Sequence, residues 1–70
     1  MEIKEIDVLT NKNYESNDDS YIVNVTNADG VCSSYCDIKF SDVFDLVCEL
    51  SSSNLNNDYK PPIVRLHLSV

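Results

Sequence analysis

Hydrophobic and polar positions alternate along much of this chain, and the alternation predicts three strands before a single helix. Ile3 to Leu9 predicts the first strand, with Ile6 and Val8 on one face and the two end residues on the other. Tyr21 to Thr26 predicts the second strand, because it is rich in β-branched and aromatic residues. Val31 to Phe40 predicts the third.

A tight turn is expected between the second and third strands. Asn27-Ala28-Asp29-Gly30 contains an Asp-Gly pair and the only glycine of the chain. Asp-Gly between two strand-like segments is typical of a β-hairpin, because glycine adopts positive φ without a steric penalty. The two strands are therefore predicted to pair directly.

The last segment of the chain has the clearest alternation. One set of positions is apolar throughout: Val64, Leu66, Leu68 and Val70. The other set is mixed: Ile63, Arg65, His67 and Ser69. A period of two predicts a fourth strand with the apolar set buried. On that basis a Leu66→Ala change is expected to cost about 2–5 kcal/mol of stability.

A helix is predicted to begin at Ser41, between the third and fourth strands. The Ser41 hydroxyl can cap free backbone amides, and Asp42 lies in the first turn, where the helix dipole favours negative charge. A buried stripe at helical spacing is predicted along this helix. It is formed by Val43, Leu46, Val47 and Leu50, and Phe44 and Cys48 widen it on one side. The three serines at 51–53 are expected to end the helix.

Two polar segments, Asn11 to Ser20 and Ser51 to Lys60, are expected to be loops, because Asn, Asp and Ser side chains compete for backbone hydrogen bonds. The elements then follow the order β-β-β-α-β. This order predicts a single α+β domain over residues 1–70, with a small, mostly antiparallel sheet and one helix packed on one face. The helical crossover favours a parallel relation between the third and fourth strands. The order of the strands across the sheet stays open.

The chain is short and strongly acidic. Its 70 residues suffice for one modest core, and an apolar content of 43% predicts a folded domain. Five Lys and Arg against twelve Asp and Glu give a net charge of −7. Such a surface repels nucleic acid and anionic membranes and attracts basic proteins, although it also serves solubility. The sequence shows no secretory signal and no apolar segment of membrane length, so a cytoplasmic location with reduced cysteines is expected.

Three cysteines and one histidine raise the question of a metal site or a nucleophile. Cys32 and Cys36 lie four residues apart in a predicted strand, which separates them by about 13 Å, too far for two ligands of one zinc ion or for a disulfide. His67 falls on the face away from the core, whereas Cys32, Cys36 and Cys48 are expected to be small buried residues beneath the helix. We therefore expect no metal, no cofactor, no catalytic residues and no enzymatic activity.

Acidic residues form a stripe on the predicted helix. Asp42, Asp45 and Glu49 recur at helical spacing on the side away from the buried stripe, and Asp37 precedes them at the end of the third strand. The three helical positions span about 10 Å, comparable with a few phosphate steps of about 3.4 Å on one DNA strand. The set predicts a partner-binding surface suited to a basic groove, while an ordinary solvated helix face explains the same pattern.

The small size, the acidity and the set Asp37, Asp42, Asp45 and Glu49 together resemble the small phage-encoded antagonists of host defence, namely anti-CRISPR and other DNA-mimic inhibitors. The resemblance implies an inhibitor that occupies the nucleic-acid groove of a host protein and does not itself bind nucleic acid. The alternative is a strand-edge interaction module or a homodimer, formed through the edge of the last strand.

Overall fold

The computed structural model describes residues 2–11 and 20–67 and places five elements in them. In chain order they are strands β1 (Ile3–Asn11), β2 (Ser20–Asn27) and β3 (Cys32–Ile38), helix α1 (Phe40–Asn56) and strand β4 (Ile63–His67). The predicted β-β-β-α-β order and the α+β class are confirmed. Predictions for positions 68–70 and for the polar segment 12–19 lie outside the described residues.

The four strands form one mixed sheet in the order β3-β2-β1-β4. β2 pairs antiparallel with β1 and β3, whereas β4 pairs parallel with β1. β3 and β4 therefore run in the same direction, as the crossover rule predicts. They occupy opposite edges of the sheet, because the helical connection passes over two strands and delivers β4 to the outer edge of β1.

The predicted hairpin turn joins β2 to β3 and is stabilised by one side chain. Gly30 has a φ of 84°, and its N–H donates to the Asn27 carbonyl oxygen at 3.0 Å. Asn27 Oδ1 accepts hydrogen bonds from the N–H groups of Asp29 and Val31, each at 3.0 Å. Side-chain and backbone groups of Asn27 thus fix the turn together.

An irregularity near the start of β1 corrects the predicted position of Ile3. The register with β2 shifts between Ile3 and Glu5, which inserts one extra residue into β1. Because a slip of one residue moves a side chain to the other face, Ile3 packs against the core instead of facing away from it. A second bulge lies in β3, where Asp37 has a φ of 57°.

The core lies between α1 and the two central strands. Its buried apolar residues are Ile6 and Val8 of β1, Val23 and Val25 of β2, and Val43 of α1. The helix adds partly buried side chains around them: Leu46, Val47 and Leu50. α1 packs over β1 and β2. The predicted inner faces of the first strand and of the helix are therefore confirmed. The sheet side of the core consists of β-branched residues.

The start of α1 differs from the predicted one. The helix begins at Phe40 after the N-cap residue Lys39, which makes no side-chain capping bond. The predicted cap at Ser41 is therefore wrong, although Asp42 does lie in the first turn. Two amides of the first turn bond to the backbone instead of to a capping side chain. The N–H groups of Asp42 and Val43 donate to the Lys39 carbonyl oxygen at 2.9 and 3.2 Å.

The end of α1 also differs, because the helix continues through serines 51–53 to Asn56. A tertiary anchor explains this continuation. Asn54 is fully buried, its Oδ1 accepts the N–H of Ile3 at 2.9 Å, and its Nδ2 donates to the carbonyl oxygens of Ile3 and Lys60 at 2.7 and 2.9 Å. These bonds fix the last turns against the sheet and outweigh the modest helix propensity of serine. No helix in the described part of the chain is long and apolar enough to span a membrane.

Strand β4 is exposed, which corrects the prediction that its apolar set is buried. Val64 and Leu66 pair with Ile6 and Val8 and therefore point to the helix side of the sheet, the predicted face. The helix packs over β1 and β2 and leaves this edge uncovered, so that Leu66 is 61% exposed. The large stability loss expected for Leu66→Ala depended on burial that the fold does not provide.

All three cysteines are exposed, so the prediction that they are buried beneath the helix is wrong. On β3, the helix-side positions are occupied by Ser33 and Tyr35, which pair with core residues of β2. Cys32 consequently points to the opposite face, Cys36 lies at the bulge, and Cys48 lies at an exposed position of α1. The mixed sequence of β3 has no apolar period from which its inner face could be read.

Candidate protein-interaction surface

The predicted acidic stripe lies on the outer face of α1. Asp42, Asp45 and Glu49 are all exposed, and the helix turns its opposite face, centred on Val43 and Leu50, toward the sheet. Among the described residues, no cation lies within ion-pair distance of these three carboxylates. We call these three residues the acidic stripe. Its negative charge is therefore directed into solvent without compensation.

Asp37, the fourth predicted site residue, lies at the end of β3 and is exposed. It has a left-handed backbone conformation with a φ of 57°, which Asp tolerates better than most residues. α1 begins three positions later, so Asp37 is at the same end of the helix as Asp42. The structure thus places Asp37 next to one end of the acidic stripe and outside the helix itself.

The ion pairs of the described residues lie elsewhere, along β1 and β4. Arg65 Nη2 is 2.8 Å from Glu5 Oε2, and Arg65 Nε is 3.0 Å from Asp7 Oδ1. His67 Nε2 lies 2.9 Å from the same Asp7 oxygen. These residues occupy the sheet face opposite the helix, because Glu5 and Asp7 alternate with the buried residues of β1. That face is close to neutral, in contrast to the outer face of α1.

Asp7 is held ionised by its two neighbours. The hydrogen bond from His67 is the largest cause that lowers the pKa of Asp7 below 3.8, and the hydrogen bond and charge of Arg65 lower it further, while partial burial opposes both. Arg65 responds in the opposite direction, since Asp7 and then Glu5 raise its pKa. The cluster therefore ties the edge strand β4 to β1 while Asp7 stays charged.

We expect the pKa of Asp7 to be lower than that of ordinary aspartates. The stability that its charged form contributes should be lost in acid. Because its pKa is depressed in the folded state, this contribution is complete above the unfolded-state pKa of Asp and disappears as the pH falls through the folded value. NMR titration of the Asp7 carboxyl measures that value directly. An Asp7→Asn variant should show a shallower acid limb of stability against pH, and an unchanged limb would contradict the assignment.

One flank of α1 carries exposed apolar side chains, and one of them, Phe44, was predicted to be buried. Phe40, Phe44 and Leu55 recur along this flank, and Phe44 is 60% exposed, so the prediction that Phe44 widens the buried stripe is wrong. The ring of Phe40 lies 5.7 Å from that of Tyr21 and 5.7 Å from that of Phe44, the latter edge to face. The spacing of these positions, four and then eleven residues, indicated one side of a helix but could not show which side the sheet would cover.

Phe44 and Leu55 on this flank face the β4 side of the molecule, whereas the ring of Phe40 packs on Tyr21 of β2. On the other flank of α1, Ser53 lines a cavity together with Val31 and Tyr35, which belong to the β3 side. Phe44 and Leu55 lie roughly opposite Ser53 around the helix, at about 100° per residue, and are therefore turned toward β1 and β4. The three exposed apolar residues of α1 and the two exposed helix-side residues of β4 together form what we call the apolar strip: Phe40, Phe44, Leu55, Val64 and Leu66.

Cys32 and His67, which were considered as a possible nucleophile and base, are far apart in the fold. β3 and β4 are separated by two strands, so Cys32 and His67 lie about 14 Å apart or more, beyond hydrogen-bond reach. No group of three His, Cys, Asp or Glu side chains within the described ranges could hold a metal ion. The cavity beside Ser53 has a volume of about 280 Å³ and is lined by apolar, hydroxyl and amide side chains. The absence of enzymatic activity and of a cofactor stays a prediction.

Comparison of the chain with known protein families, with curated proteins and with solved structures found no match. The candidate binding surfaces of the chain are the uncompensated acidic stripe, the near-neutral sheet face and the apolar strip.

Proposed function

We propose that this protein is a non-enzymatic, cytoplasmic binding protein whose acidic stripe docks against a basic surface of another protein. The observation that supports it best is the uncompensated charge of Asp42, Asp45 and Glu49, which are exposed on one helix face while Arg65 is already paired on the opposite side of the sheet. Charges arranged in this way steer a basic partner toward the helix and select against acidic ones.

Grooves that bind nucleic acid are the basic protein surfaces that such a stripe would fit best. The stripe spans about 10 Å of helix axis, with Asp37 extending it at one end, and this length is comparable with about three phosphate steps of one DNA strand. Together with the resemblance to phage-encoded antagonists, this length supports an inhibitor that mimics nucleic acid, of the anti-CRISPR or DNA-mimic type. In this proposal the partner is a nucleic-acid-binding protein, and the chain does not bind nucleic acid itself.

The free edge of β4 supports a second candidate function, a strand-edge interaction module. β4 is the last strand of the described sheet, and Ile63, Val64 and Leu66 on it are exposed. An uncovered edge with apolar side chains is a template for another chain, either a partner or a second copy. Salt separates the two candidates, because screening weakens the attraction of an acidic face for a basic groove, whereas backbone pairing tolerates salt.

The proposal is tested with bacterial proteins retained on immobilised DNA. We expect the chain to release at least one of them, with an affinity that falls as the salt concentration rises. The Asp45→Lys, Glu49→Lys double variant should fold normally, because exposed substitutions usually change stability by under about 0.5 kcal/mol. It should release the same protein at least about tenfold less effectively, since attraction becomes repulsion at the contact.

A matched control distinguishes the stripe from net charge alone. Asp29→Lys makes the same change in charge as Glu49→Lys, but in the exposed hairpin turn. We expect the Glu49→Lys variant to weaken release clearly and the Asp29→Lys variant to do so only slightly. Equal effects of the two, or an unchanged double variant, would mean that the helix face is merely solvated. Glu2 and Glu5 are poor controls, because each already pairs with a neighbouring cation.

A further inference from the structure

The edge of β4 lacks most of the features that protect a sheet edge from pairing. β4 and β1 pair without a register shift, and no proline lies within β4 itself. On the helix side of this strand, Val64 and Leu66 are 42% and 61% exposed. Natural edges are ordinarily blunted by bulges, prolines or outward charges. This edge is therefore open to a further strand, and the charges around it indicate which strand would fit.

The surroundings of this edge are close to neutral, unlike the outer face of α1. Lys4 and Lys60 lie beside the start of β4 and Arg65 lies on it, so that three of the five Lys and Arg residues of the chain are here. They are matched in number by the carboxylates beside them, those of Glu2, Glu5 and Asp7. A neutral surface does not favour a basic partner. It is instead the surface at which two copies of a chain with a net charge of −7 meet with the least repulsion.

We propose that two copies of this chain pair through β4, edge to edge and antiparallel, to form one continuous eight-stranded sheet. A two-fold axis perpendicular to the sheet relates the copies, so both helices lie on the same face. Pairing centred on Arg65 uses the whole of Ile63–His67 in both copies. A register centred on Val64 would instead place Pro62, which has no N–H, opposite Leu66. The inference deepens the second candidate function and does not depend on the acidic stripe.

Side chains on the helix side complement one another in this register. Val64 of each copy lies directly opposite Leu66 of the other, so the joined strands carry two apolar cross-strand pairs. Phe44 and Leu55 border these pairs in each copy, because they are turned toward the β4 side and are exposed there. Pairing therefore removes from water part of the apolar strip that a single chain leaves exposed.

On the opposite sheet face, the pairing brings the two Arg65 side chains together at the axis. Like charges directly opposite each other weaken a sheet, but each Arg65 is held by its own β1. Its Nη2 lies 2.8 Å from Glu5 Oε2, and its Nε lies 3.0 Å from Asp7 Oδ1. Two carboxylates therefore compensate each guanidinium, and the ion pairs hold it toward β1 and away from the axis.

The first test is the oligomeric state of the full chain, measured by sedimentation velocity at two salt concentrations. The paired strands are short, so the interface lies at the small end of the usual range of about 1,200–2,000 Å², and we expect a reversible dimer with a Kd between about 1 μM and 1 mM. Because salt screens the repulsion between two acidic chains, the Kd should stay constant or fall as salt rises. A chain that stays monomeric at about 1 mM, or a dimer that dissociates when salt is added, overturns the proposal.

A pair of variants locates the interface. Leu66→Lys places a charge opposite Val64 of the second copy and should raise the Kd at least about tenfold. Val31→Lys introduces the same side chain at a similarly exposed residue on the β3 side, 59% against 61%, and should leave the Kd unchanged. Circular dichroism checks that both variants fold. Equal effects of the two variants would exclude β4 as the interface.

NMR of a dimer assembled from one isotope-labelled and one unlabelled copy tests the pairing without any substitution. We expect NOEs between the methyl groups of Val64 in one copy and Leu66 in the other. The β4 amides that face away from β1 should also exchange more slowly with solvent as the chain concentration rises, because only alternate N–H groups of a strand face each neighbour. Contacts between copies at β3 or at the acidic stripe alone would refute the arrangement.

The two proposals fail separately. If the chain dimerises through β4 but the Asp45→Lys, Glu49→Lys variant still releases DNA-binding proteins, the edge interface stands and the acidic stripe does not. If the chain stays monomeric while that double variant loses release, the stripe stands and the edge interface does not.

Discussion

An Asn54→Ala variant is expected to lose about 3–5 kcal/mol of stability, a large share of the roughly 4–10 kcal/mol typical for a chain of this length. The Asn54 amide is fully buried and makes three hydrogen bonds, to the N–H and C=O of Ile3 and to the C=O of Lys60. Alanine leaves these partly buried backbone groups without their partner, and each such group costs about 1–3 kcal/mol. Urea unfolding followed by circular dichroism measures the loss.

A neighbouring asparagine provides the control for this prediction. Asn57 Nδ2 donates to the Ser53 carbonyl oxygen at 2.8 Å, but the contact is exposed and water can replace it. Asn57→Ala should therefore change stability by under about 1 kcal/mol. If the Asn54 and Asn57 variants unfold at similar urea concentrations, the buried amide is not the anchor that holds the end of α1 against β1.

An Ile6→Ala variant is expected to be destabilised by about 2–5 kcal/mol, because truncation of a fully buried aliphatic side chain removes its burial and leaves a cavity. Ile6 is 0% exposed and lies between Val25 of β2 and Val64 of β4 in the sheet. The small core consists of five fully or nearly buried apolar residues among the described ones, so that no other contact can easily compensate. Thermal and urea unfolding of the purified variant give the value.

Ile63→Ala is the matched control, with the same substitution on the adjacent strand. Ile63 is 59% exposed, and we expect a loss of under about 1 kcal/mol, typical of substitutions at the surface. The pair tests the fold directly, since the two isoleucines lie on neighbouring strands and differ mainly in burial. Equal losses would show that β4 is covered in solution, by another part of the chain or by a second copy.

Local features predicted the elements well. The Asp-Gly pair predicted the hairpin, the alternation of Ile6 and Val8 predicted the inner face of β1, and the spacing of the helical residues predicted that Val43 and Leu50 face the sheet. These signals depend on the preferences of consecutive residues and on the periods of helix and strand. The same periodicity placed the acidic stripe on the outer face of α1, where the structure has it.

Predictions of burial were less successful, because burial depends on which elements meet. Leu66 has the predicted orientation but is exposed, since the helix covers β1 and β2 and not β4. Cys32 faces away from the helix because β3 presents Ser33 and Tyr35 instead. Phe44 follows the helical period but lies on a flank that no other element covers among the described residues. A period identifies one face of an element, and it does not tell whether another element covers that face.

The amino-acid sequence by itself determined the types and order of the elements, the turn at Gly30, the net charge and the outward position of the acidic stripe, because these follow from local preferences and composition. Only the tertiary structure decided that β4 lies beside β1, that α1 leaves this edge open, and that Asn54 anchors the helix to Ile3 across 51 positions of the chain. The physical reason is that strand order and buried hydrogen bonds depend on contacts between distant residues. Local sequence preferences do not specify these contacts, which form only when the sheet and the helix pack together.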